Sequence, residues 1–103
     1  MNVLYVVCRD VNEAKKMGRI LVEEKWAGCV NIFKNMESIF SWKEKVLHAR
    51  ESVMLVKTVP VKCKGARKRI EQLHSYKVPC IMELGVVEVN ATYEKWLKKV
   101  CTG

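Results

Sequence analysis

The sequence predicts an α+β fold of the split βαβ, ferredoxin-like kind, and three observations carry that expectation. Strand-like and helix-like segments follow one another in the order β-α-β-β-α-β, a further helix-like segment closes the chain, and no Pro/Gly/Ser-rich linker divides them. At 103 residues, 50% hydrophobic and 29% charged, the composition is that of a globular chain, and residues 1–103 are expected to form one domain.

Residues 2–8, NVLYVVC, are nearly continuous in Val, Leu and Tyr and read as a strand buried on both faces. Asp10 and Glu13 then stand three apart, the spacing of an N-cap carboxylate and a returning glutamate at a helix start. Ala14, Met17, Gly18 and Leu21 supply an apolar stripe, and Glu13, Lys16, Glu23 and Glu24 are left for the wet side. This helix is expected to reach about Lys25, with Gly28 helping to end it.

Residues 29–33, CVNIF, read as the next strand, and Lys34-Asn35 as a turn or bulge. Beyond it an extended backbone puts Met36, Ser38, Phe40 and Trp42 on one face. ESVMLVKT at 51–58 follows, and the two strands are expected to form a long hairpin reversing near Lys43-Glu44-Lys45. Pro60 suits the first turn of a second helix, where its missing N–H is not needed, and Cys63, Ala66, Ile70 and Leu73 continue at helical spacing. Tyr76 to Pro79 end that helix, because the residue before proline is pushed out of the α region. CIMELGVVEV at 80–89 reads as a last long strand, Asn90 as an N-cap, and Tyr93, Trp96, Leu97 and Val100 as the stripe of a terminal helix.

Two helices cover only one face of such a sheet. Phe40 and Trp42 then stand on a hairpin away from the core, and soluble monomers rarely leave that much aromatic surface in water. Self-association is the expected remedy.

The formal net charge is +8, densest in KCKGARKR at 62–69, which permits a polyanion as partner without requiring one. An RNA-binding sheet needs aromatic residues on its two central strands, here 2–8 and 51–58, and these supply only Tyr5, so nucleic acid is not expected. Uncharged runs fall far short of the roughly 20 apolar residues that span a bilayer, so no membrane contact is expected. Met1 leads straight into VLYVVC without a basic stretch or cleavage site, and the five cysteines contain no C-x-x-C pair, which together suggest a cytoplasmic protein with reduced thiols. Cys29 and Cys63 read as core and Cys101 as a terminal-helix contact.

Four segments in order, AGCVNI (27–32), SIFSWKEK (38–45), the H-x-Y-x-V-P run of 74–79 and YEKWL (93–97), resemble the hallmarks of the CutA-type divalent-cation tolerance proteins. The resemblance spans essentially the whole chain. It implies a ferredoxin-like subunit in a tight homotrimer, similar in architecture to the PII signalling proteins, with sheet edges joined between subunits. It implies a role in tolerance to copper and other divalent metals, no required cofactor and no catalytic reaction. The family's metal-associated cysteine and histidine fall on Cys8 and His74, and its scaffold positions on Trp42, Tyr76, Pro79, Tyr93 and Trp96. This chain departs from the family pattern at Glu44, where a glycine is usual, at Ser75 in place of proline, at Leu73 where some members have a second histidine, and at Cys80 in place of glutamate.

Thiolate and imidazole suit copper or zinc, so Cys8, His74 and Cys80 form the candidate metal set: Cys8 ends the first strand, Cys80 begins the last, and such ends lie near one another or near a neighbouring subunit's. Glu83 and Glu88 would suit harder ions but are expected to face solvent. No nucleophile motif accompanies the thiols, so a Cys-His hydrolase is not expected. Two other readings stay open: a PII-like regulatory trimer binding a small ligand in clefts between subunits, and a basic nucleic-acid-associated protein.

Overall fold

Strand β1, Asn2–Cys8, occupies an inner position of a four-stranded antiparallel sheet ordered β2-β3-β1-β4 in this computed structural model, which describes residues 1–102. The other elements are α1 (Val11–Glu23), β2 (Cys29–Trp42), β3 (Lys45–Thr58), α2 (Cys63–Leu73), β4 (Ile81–Gly85) and α3 (Ala91–Thr102), with a 3-10 turn at Pro60–Lys62 leading into α2. The element order is the expected one.

Alternation along the strands sorts the sheet into two faces. Leu4, Val6 and Cys8 of β1 and Met54 and Val56 of β3 point to the helices and are buried, joining Ala14, Met17 and Leu21 of α1 and Ala66 and Ile70 of α2 in one core. The opposite face carries Tyr5, Val7, Leu55, Met82 and Leu84, and both Met82 and Leu84 are 46% exposed.

The hairpin of β2 and β3 extends well beyond this core, giving the molecule extents of 45 × 25 × 22 Å. Its register breaks between Phe33 and Met36, where Asn35 takes φ 61°, so the expected bulge falls at Lys34-Asn35. Trp42 pairs with Lys45 across a two-residue turn in which Lys43 (φ 50°) and Glu44 (φ 65°) both sit in the left-handed region. Neither is a residue that adopts this geometry freely. Glu44→Gly is therefore expected to stabilise the chain by about 1 kcal/mol, read as an upward shift of the urea midpoint at unchanged slope.

Three local expectations need correction. The last strand ends at Gly85 rather than Val89, because Gly85 already pairs with Asn2 at the start of β1 and no further strand among the described residues bonds residues 86–89. Helix α1 ends at Glu23 through Lys25, whose φ of 63° lets Trp26 N–H reach Leu21 O (2.8 Å) and its own N–H reach Val22 O (3.1 Å), a Schellman closure without glycine. Gly28 serves packing instead: a Cβ there would lie 2.5 Å from Leu97 Cδ1 of α3. Glu13, assigned to the wet side, is 9% exposed.

Candidate functional site

Two of the candidate metal donors, Cys8 and His74, gather where β1, α1 and the loop after α2 meet. Asp10 caps α1, its Oδ1 accepting from Glu13 N–H at 2.8 Å. Glu13 turns back, as the spacing predicts, but its Oε1 accepts from Arg9 N–H (2.9 Å), and its Oε2 accepts from Ser75 N–H (3.1 Å). One carboxylate thus ties the start of α1 to the end of α2.

His74 closes the same joint. Its Nε2–H donates to Val7 O at 2.7 Å and its Nδ1 accepts from Tyr76 N–H at 3.0 Å, so both ring nitrogens are engaged. Cys8, fully buried, lies beside it, and single ligand atoms of Cys8, Glu13 and His74 all fall within 4.8 Å of one another.

Burial and neighbouring groups set the protonation of the thiol and the carboxyl in this joint. Burial first, and then the negative charges of Glu13, Asp10 and Glu51, push the Cys8 thiol up to about 12. Burial alone would raise Glu13, but the hydrogen bonds from Ser75 and Arg9 and the nearby His74 outweigh it and hold the carboxyl below the usual glutamate range. A protonated thiol beside an imidazole with both nitrogens engaged is not an activated nucleophile.

The sequence-predicted residues divide. Cys8 and His74 come together, whereas Cys80 does not join them: Val7 N–H donates to Cys80 O at 3.2 Å, and the exposed Cys80 lines a cleft on the opposite face of the sheet from Cys8. Glu13 stands beside Cys8 and His74 instead, a residue that the sequence places at the helix cap and on the wet side. Its spacing from Asp10 was the available signal, but the contact with Ser75 spans 62 positions and has no local signature.

The residues expected to form the scaffold lie in two regions. Trp42, Phe40 and Tyr76 border the cleft, where Tyr76 O–H donates to Glu51 Oε2 at 2.6 Å, and Pro79 precedes Cys80 on the loop that forms its far side. Tyr93 and Trp96 sit on α3 with ring centroids 5.4 Å apart, and Lys57 Nζ lies 5.4 Å from the Tyr93 centroid. Of the cysteines expected to be core, Cys63 is buried and Cys29 only half-buried, while Cys101 is buried against Thr58. Glu83 is exposed and engages Asn2 and Arg67, and Glu88 is exposed. No helix among the described residues is long and apolar enough to cross a membrane.

Comparison with known proteins follows the same outline. The family model described as CutA1 divalent ion tolerance protein matches residues 2–100. A protein from Thermus thermophilus described as divalent-cation tolerance protein CutA is 37% identical over 86 residues, covering 84% of each chain. One of the same description from Archaeoglobus fulgidus is 33% identical over 96 residues, covering 93% of each. The solved structure from Archaeoglobus fulgidus, described as a periplasmic divalent cation tolerance protein CutA, superposes with a TM-score of 0.94 at 32% identity over 97% of both chains.

Proposed function

This chain belongs to the CutA1 divalent ion tolerance family, and from that premise we propose that it acts in metal homeostasis as a homotrimer that takes Cu2+ or another divalent ion at the Cys8, Glu13 and His74 joint. The observation that carries this reading is the meeting of one sulfur, one nitrogen and one carboxylate donor within 4.8 Å. That donor set suits zinc and copper.

All three donors are already committed to the fold. An ion has to displace Tyr76 N–H from His74 Nδ1, or the hydrogen bond to Val7 O, and it has to expel the Cys8 proton. Binding is accordingly modest and proton-coupled. Cys80 is left out of the site because it faces the other side of the sheet.

The oligomeric part of the reading is supported by the uncovered sheet face and by Ile39, Trp42, Val46 and Leu47, all exposed on the hairpin. A cytoplasmic setting is supported by the five free thiols. Light scattering tests the first point, and the mass of a single 11.9 kDa chain would remove the trimer.

Calorimetric titration of Zn2+ and Cu2+ into reduced protein tests the metal site. One site per chain is expected, lost in Cys8→Ala and in His74→Ala. Because the thiol stays protonated at neutral pH and must lose its proton on binding, affinity is expected to rise about tenfold per pH unit. Unchanged stoichiometry in both variants, or pH-independent affinity, counts against it.

A further inference from the structure

Residues 74–80 form a strap beside the metal joint, and one residue of β1 grips both of its ends. Val7 O accepts from His74 Nε2–H at 2.7 Å, and Val7 N–H donates to Cys80 O at 3.2 Å. Between these pins, two consecutive backbone N–H groups sit on two of the three donors: Ser75 N–H on Glu13 Oε2 (3.1 Å) and Tyr76 N–H on His74 Nδ1 (3.0 Å). The first of these ties exists only because the chain has Ser75 at this position, since a proline has no N–H to give.

A third tie runs to β3. Tyr76 O–H donates to Glu51 Oε2 at 2.6 Å, and Glu51 is only 9% exposed. The Tyr76 ring also lies against the imidazole, with centroids 4.9 Å apart and planes inclined at 47°. Shifting the Tyr76 backbone therefore shifts a ring that is packed on the ligand and hydrogen-bonded to a buried carboxylate.

The chemistry of the imidazole makes the Tyr76 tie decisive. Each oxygen of Glu13 has a second lone pair, so the carboxylate is able to meet an ion while both of its N–H partners stay. His74 has no such reserve. An ion on Nδ1 takes the lone pair that Tyr76 N–H uses. An ion on Nε2 leaves the proton of the neutral ring on Nδ1, where it meets Tyr76 N–H as donor against donor. In either case Tyr76 N–H has to leave the ring.

We propose that this strap gates the ion site: the Tyr76–Glu51 hydrogen bond holds Tyr76 N–H on His74 and keeps the joint closed, and uptake of the ion turns Tyr76 off the imidazole. The gate rests on the metal reading of Cys8, Glu13 and His74 and adds its regulation. It needs no free surface, because the Tyr76–Glu51 bond is internal to one chain, and other copies packed on the open face add to its hold.

The test compares the wild type with Tyr76→Phe, which keeps the ring and the Glu51 charge and removes only the O–H. Zn2+ is titrated by calorimetry into both reduced proteins, at a concentration where light scattering gives them the same mass. Tyr76→Phe is expected to bind Zn2+ about tenfold more tightly at unchanged stoichiometry, because the closed joint has lost a charge-assisted hydrogen bond that the ion otherwise has to break. In the wild type, amide hydrogen exchange followed by NMR is expected to show Tyr76 N–H protected without Zn2+ and exchanging faster with it. A tie that merely supports the donors acts in the opposite direction, since its loss loosens them and weakens the ion. Equal or weaker binding by Tyr76→Phe, or a Tyr76 N–H that stays equally protected in the Zn2+-loaded protein, overturns the gate and leaves the metal reading standing. Absence of binding in both proteins removes the metal reading and the gate together. Should Tyr76→Phe not fold, the exchange of Tyr76 N–H in the wild type decides.

Discussion

Replacing Glu13 by alanine is expected to cost about 2–4 kcal/mol of folding free energy, because it leaves two part-buried N–H donors without their charged acceptor. These are Arg9 N–H before α1 and Ser75 N–H after α2, so a single truncation loosens both ends of the joint. Glu13→Gln, which keeps acceptor capacity but not charge, should recover part of the loss.

The pH dependence has a definite sign. The folded carboxyl lies below its ordinary range, so its contribution is complete above the ordinary glutamate range and is lost as pH falls through the lower folded value. Urea unfolding at neutral pH and again in acid checks this: the gap between wild type and Glu13→Ala should narrow in acid. A gap that stays constant or widens would mean that the carboxylate charge contributes nothing.

Leu4→Ala is expected to be comparably severe, at about 2–5 kcal/mol, because Leu4 is fully buried between the sheet and the helices. The informative control is Leu84→Ala, the same chemical change on the other face of the same sheet, where the side chain is 46% exposed. For the isolated chain it should cost less than about 1 kcal/mol. If the open face is covered by other copies, the loss for Leu84→Ala will instead grow and the midpoint will depend on protein concentration, whereas the loss for Leu4→Ala will persist at every concentration. Equal costs at all concentrations would contradict the assignment of the two faces.

Much of this molecule was legible in the sequence because its signals are local. The strand at 2–8 has the expected bounds, Asp10 caps the helix it precedes, the bulge falls at Lys34-Asn35, and the hairpin turns at Lys43-Glu44. Each is written within a few positions, by hydrophobic runs, a capping spacing or a break in alternation. The errors share a different cause. Residues 86–89 carry strand-like sequence, yet a strand also needs a partner, and β1 begins at the residue that already pairs with Gly85. Glu13 has the spacing of a solvated helix residue, and it is buried where Ser75 and His74, some sixty positions away, close over the start of the helix.

The candidate sites show the same division more sharply. Family motifs point to Cys8 and His74, and Cys80 joins them because it begins the last strand where Cys8 ends the first. The polypeptide between 74 and 80 passes from the helix side of the sheet to its open face, so Cys80 lines the cleft and Glu13 is the residue brought beside Cys8 and His74. The sequence by itself determined the element order, the caps and turns, and the donor chemistry available, because these depend on residue type and short spacing. Which donors share a joint, which carboxylate meets the Tyr76 hydroxyl on the open face, and which face of the sheet stays open depend on contacts between positions tens of residues apart, and only the packing of the layers decides those.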